Sequence, residues 1–178
     1  MQKIITTFLF FFILTYSFGQ TQKKITNYLM VQYNKTMYDV TTGNNPWGVG
    51  LGLQTFLNNK TKFRPTVELT GDIYLEDDKV LRYNADSSIQ KNNDVRAMIN
   101  LFIGSTFNLT QNVSLSFVAG PSFVSGQTLL GIKPSIGFYF SKNHHWTGKL
   151  SYINIFNRDK TTKEDFGSLS LAIGLQLF

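Results

Sequence analysis

FRPTVELTGDIYL, Phe63 to Leu75, alternates from end to end. Its odd positions are Phe63, Pro65, Val67, Leu69, Gly71, Ile73 and Leu75; its even positions are Arg64, Thr66, Glu68, Thr70, Asp72 and Tyr74. Successive side chains of a strand point to opposite faces of a sheet, so the stretch predicts a strand with one apolar and one charged face.

The same division recurs on both sides of it. Trp47 to Leu57 sets Trp47, Val49, Leu51, Leu53 and Leu57 against Gly48, Gly50, Gly52 and Gln54. Val95 to Leu109, Val113 to Val124, Leu130 to Phe140 and the last strand, ending Leu169, Leu171, Ile173, Leu175, Leu177, repeat it. Two stretches are weaker. In Ile25 to Lys35, Tyr28 and Met30 blur the polar face, and Trp146 to Phe156 loses the pattern at Ile153. The expectation is eight strands. The links 58–62, 111–112 and 141–145 are short, whereas 36–46, 76–92 and 157–166 are long and polar. The link 125–128 is short where a long one is due.

The N-terminus reads separately. Lys3 precedes an apolar run from Ile4 to Phe18, and Ser17 and Gly19 supply small residues before a cut ahead of Gln20. That is the layout of a secretory signal peptide over 1–19, with the mature domain over 20–178. The run is too short for a membrane helix, which needs about 20 apolar residues. The chain has no Cys, so an exported domain must be held by packing rather than disulfides. Aromatic residues make up 15% and charged residues 16%, well under a soluble average of about 25% for charged residues, as a lipid-facing surface would require. The net charge of +6 is scattered along the chain, which argues against nucleic acid as a partner.

Closure follows from backbone chemistry. In lipid an open sheet edge leaves donors and acceptors unpaired, so strands that cross a bilayer must form a closed barrel. An Arg or Lys on the lipid face costs about 2–4 kcal/mol at mid-bilayer. Arg64, Glu68, Asp72, Arg96, Lys133 and Lys149 share the parity of Ser, Gly and Thr, and are therefore expected to form a charge-paired network inside the barrel. Trp47, Phe63, Phe107, Phe123, Phe140 and Trp146 lie at strand ends on the apolar face, as the interfacial belts of a membrane barrel do. The rival is a soluble, lipocalin-like periplasmic barrel with its apolar face inward around a small apolar ligand.

The export signal, eight alternating strands, alternating link lengths and terminal Phe178 resemble the small outer-membrane barrels of the OmpX and OmpA-barrel type. The resemblance implies an eight-stranded antiparallel up-and-down transmembrane β-barrel in the outer membrane of a Gram-negative cell. It also implies outer-membrane lipid and the barrel-assembly machinery as partners, with Phe178 as part of the assembly signal. The chain departs from that pattern at its end. Positions counted back in steps of two from Phe178 are Gln176, Gly174 and Ala172, so either a bulge precedes Phe178 or the signal is atypical. Pro134, inside its strand, also predicts a bulge, because proline has no donor for the ladder.

Catalytic chemistry is not legible. His144 and His145 share a turn without enough ligands nearby for a metal, and no nucleophile–base pair can be assigned. Gly48, Gly50 and Gly52 lie within a strand with no helix after them, so they make room rather than cradle a phosphate. The reading is a non-enzymatic envelope protein without cofactor or metal, structural or interacting with surface partners through 36–46, 76–92 and 157–166.

Overall fold

The computed structural model describes residues 25–37, 47–59, 61–75, 81–83, 89–91, 95–124, 126–140, 143–157 and 165–177. They form β1 (Ile25–Thr36), β2 (Trp47–Leu57), β3 (Phe63–Leu75), β4 (Leu81–Tyr83), β5 (Ile89–Lys91), β6 (Val95–Asn108), β7 (Val113–Val124), β8 (Gln127–Tyr139), β9 (Trp146–Ile155) and β10 (Phe166–Gln176). Eight of these close an antiparallel barrel in the order β1-β10-β9-β8-β7-β6-β3-β2, so each barrel strand is paired on both sides. The two short strands, β4 and β5, pair with each other antiparallel, apart from the barrel sheet.

The register carries a stagger. Paired residues lead from Asn27 through Thr55, Val67, Ile103, Ala119, Ile132, Asn154 and Gly167 to Met37, ten residues further along the chain. With strands about 4.8 Å apart and a rise of about 3.3 Å per residue, that shear tilts them by about 40° from the barrel axis.

Alternation holds in three dimensions. Leu171 is 59% exposed while Ser170 beside it is 2% exposed, and the apolar parity of each barrel strand points outward. Tyr28 and Met30, which blurred the first strand, are buried inward. So are Ile153 and Ile155. The pattern of β9 does not stop at Ile153; the lumen itself turns apolar there.

The bulge expected at Pro134 is absent. Pairing of β8 with β9 runs to Ile132↔Asn154 and resumes at Ser135↔Ser151 in unchanged register, while Pro134 stays paired to Phe117 across β7. Pro121 likewise coincides with a lapse between Asn100↔Ser122 and Ile103↔Ala119. The physical reason is parity: an inserted residue would turn every later side chain to the wrong face, whereas a local lapse loses only a few ladder bonds. Alternation also continues unbroken to Leu177, without a bulge among the described residues of β10. Phe178 lies outside the described residues, as do residues 1–24.

Three short turns and both termini of the barrel lie at one end, with the long connections at the other. The short link at the long-loop end is a two-residue connection between the paired Val124 and Gln127, made possible by Gly126 at φ +74°.

Candidate functional site: the filled lumen

The lumen divides into three layers. At the short-turn end Arg64 of β3 enters beside Tyr139 of β8. Its Nη2 donates to Asn108 Oδ1 at 2.8 Å and to Tyr139 Oη at 2.6 Å, and its guanidinium lies 4.5 Å from the Phe56 ring centroid. The His144 ring stacks on Tyr139 at 4.3 Å, and Tyr28 Oη donates to the His144 carbonyl at 2.6 Å. His144 holds φ 56°, a left-handed conformation that turns its ring back over the mouth. Burial first, and the Arg64 charge second, hold the His144 imidazole below its ordinary value of 6.5, with a backbone hydrogen bond to Gln111 working the other way.

The middle layer carries the paired charges. Lys133 Nζ of β8 donates to Glu68 Oε1 and Lys149 Nζ of β9 donates to Glu68 Oε2, all three side chains being buried. Asp72, two inward positions further along β3, is held by neutral donors. Asn34 Nδ2 reaches Oδ1 at 2.7 Å, Asn100 Nδ2 and Thr70 Oγ1 reach Oδ2 at 3.1 and 3.3 Å, and Gln32 Nε2 also donates. The layer formally holds two lysines and two carboxylates, and both lysines pair with Glu68. Gly50 faces Asp72 across the β2–β3 pair, and a Cβ there would overlap Asp72 Oδ1.

The layer nearest the long loops is apolar: Met98, Phe102, Val118, Val124, Ile153, Ile155 and Phe166 pack together, with the Tyr74 ring edge-on to Phe166 at 5.2 Å. Gly131 leaves space for Phe102, since a Cβ there would stand 2.9 Å from its ring.

Of the six charges predicted to meet, the five whose side chains are described separate. Glu68, Lys133 and Lys149 come together, Asp72 sits on amides and a hydroxyl, and Arg64 is carried to the mouth by its position at the start of β3. The Arg96 backbone pairs with Tyr74, and its side chain lies outside the described part of the molecule. Sequence reading missed Gln32, Asn34, Asn108, Tyr28 and His144 as partners. The first four share the inward parity, but which of them meet depends on the stagger.

The exterior is apolar, with rings near both ends. Trp47 stacks on Tyr33 at 6.1 Å near the long loops; Phe63 packs on Phe107 at 4.7 Å near the short turns, where Phe138, Phe140 and Trp146 are also exposed. This inside-out polarity overturns the lipocalin-like alternative, which needs an apolar lumen open to a ligand.

No known family's sequence profile and no curated protein sequence matches the chain. In three dimensions it is similar to the Yersinia pestis outer membrane protein Ail in a phospholipid bilayer nanodisc, with a TM-score of 0.56 at 12% identity over 85% of this chain and 99% of that one. The crystal structure of Ail, the attachment invasion locus protein, gives 0.56 at 14% identity over 86% and 97%. Neisserial surface protein A gives 0.50 at 13% identity over 85% and 96%. The chain thus has the fold of the small eight-stranded outer-membrane β-barrels.

Proposed function

We propose that the protein is a non-enzymatic barrel of the outer membrane, exported by removal of residues 1–19, whose long loops carry its interactions with surface partners. The observation behind this reading is the distribution of polarity: a continuous apolar exterior between two aromatic belts, around a lumen filled by its own side chains. A filled lumen leaves no cleft for catalysis inside the barrel, so specificity falls to 36–46, 76–92 and 157–166. At the last of these, Asp165 joins the two strands, accepting from the Asn157 backbone N–H at 3.0 Å and from Asn154 Nδ2 at 3.1 Å. That Ail is named the attachment invasion locus protein supports a surface-interaction role by likeness of fold.

Membrane fractionation tests the reading. The mature chain is expected with outer membranes, resistant to carbonate and high salt, with Gln20 first in its intact mass. Recovery as a freely soluble periplasmic monomer would contradict it, and retention of Phe8 to Leu14 would contradict the cleavage.

A further inference from the structure

Two lysines share one carboxylate in the lumen. Lys133 Nζ and Lys149 Nζ both donate to Glu68, which also accepts from Gln54 Nε2 at 3.5 Å, so each of its oxygens is engaged. With all three groups ionised, the cluster carries one positive charge in excess. Asp72 stands four residues further along β3, about 13 Å away, and its oxygens are taken by Gln32, Asn34, Thr70 and Asn100. Towards the short-turn mouth Arg64 adds a further positive charge. Among the described residues, the lumen from the mouth to Glu68 thus sets Arg64, Lys133 and Lys149 against one carboxylate.

The wall from which the lysines rise carries hydroxyls with no partner. Ser135 and Ser151 pair directly across β8 and β9, each the next inward residue after Lys133 and Lys149. They are 6% and 3% exposed, and neither Oγ meets a hydrogen-bond partner in the protein. A buried hydroxyl is costly to leave unbonded, so the pair points to a bound species. Ser116, paired with Ser135 across β7, also faces inward yet is only half-buried, so side chains do not close over it. Gly137, the next inward residue of β8, has no side chain to occupy the space.

The surrounding groups select the occupant. Hydroxyls and ammonium groups offer protons, whereas the Glu68 oxygens are already engaged. Water needs acceptors for its own protons; an anion accepts from every neighbour. One excess charge and a gap bounded by short side chains match a monovalent halide better than a multiply charged oxyanion.

We propose that Ser135 and Ser151, with the ammonium groups of Lys133 and Lys149, form a halide site in the lumen, and that chloride is the ion it takes. Chloride offsets the excess charge and accepts from both hydroxyls. The ion enters past Arg64 at the short-turn mouth, because the apolar layer beneath the long loops bars the other way. The site is independent of what the long loops bind.

Crystals of the folded barrel grown in bromide test occupancy, since bromide substitutes for chloride and scatters anomalously. An anomalous peak within hydrogen-bond distance of Ser135 Oγ and Ser151 Oγ is expected; density there without anomalous signal is water and overturns the proposal. Binding in solution is read from thermal unfolding of the detergent-solubilised protein, with chloride replacing gluconate, a large monovalent carboxylate, at constant ionic strength. Chloride is expected to raise the midpoint saturably. The half-saturating chloride concentration should rise about tenfold for each hydroxyl removed in Ser135→Ala and Ser151→Ala. The effect should vanish in Lys149→Met, which leaves Lys133 and Glu68 as a balanced pair; if that variant does not fold, the serine variants carry the test. Equal midpoints in the two salts for the unaltered protein mean binding at crystal concentration only and overturn the proposal. So does a chloride effect of the same size in the variants.

Discussion

At Glu68 two lysines, 65 and 81 residues away in sequence, converge on one carboxylate. Removing the carboxylate strands both ammonium groups in the lumen, so Glu68→Ala is expected to cost about 3–5 kcal/mol, read as a lower urea midpoint for the folded barrel. Replacing Glu68, Lys133 and Lys149 together with leucine or methionine should restore most of that loss, since no ammonium group is then left stranded and Asp72 keeps its own neutral donors. His144 gives a pH test at the mouth. Its folded value is depressed, so the stability it lends is present above its ordinary 6.5 and is lost as pH falls through the folded value. Protection factors in the β8–β9 turn, which allow for the intrinsic slowing of exchange in acid, should therefore fall as the solution is acidified below 6.5, and His144→Gln should flatten that dependence. An unchanged profile in the variant would assign the effect to another group. At this scale the sequence showed which residues face inward but not their partners, because hydrogen bonds across the lumen join strands remote in the chain.

Elements were the most legible level, because alternation with a period of two needs only neighbours. β3 was read to its last residue, and the other barrel strands lie close to their predicted limits. Leu69 is exposed to the lipid side, so Leu69→Arg is expected to cost about 2–4 kcal/mol and to reduce the folded yield in vesicles. The chain has no native cysteine, so Leu69→Cys and Thr70→Cys can be compared directly. A membrane-soluble thiol reagent should label position 69 and leave position 70 protected, because Thr70 is wholly buried beside Asp72 and Asn100. Equal labelling would contradict the assigned faces. β9 and Pro134 were misread for one reason: local rules assume a uniform lumen and an uninterrupted ladder. Here the lumen is apolar at Ile153 and Ile155, and the ladder lapses at Pro134 without shifting register.

For the molecule as a whole, eight strands with this stagger enclose a space that side chains can fill. Aromatic and cationic groups close the short-turn mouth, the charged layer crosses the middle, and an apolar layer lies beneath the long loops. Purified, folded protein in a planar bilayer is therefore expected to give no reproducible large conductance steps. Such steps would mean that the packed layers open in the membrane or that the barrel assembles into a larger one.

The sequence by itself determined the strands, their two faces and the need for closure, because each follows from the spacing of apolar and polar residues along one segment and from the cost of unpaired backbone in lipid. The tertiary structure decided how the lumen is occupied: Glu68 between Lys133 and Lys149, Asp72 on Gln32, Asn34, Thr70 and Asn100, and Arg64 at the mouth with Tyr139. Those contacts depend on the ten-residue stagger accumulated around eight strand pairs, a quantity that no single segment carries.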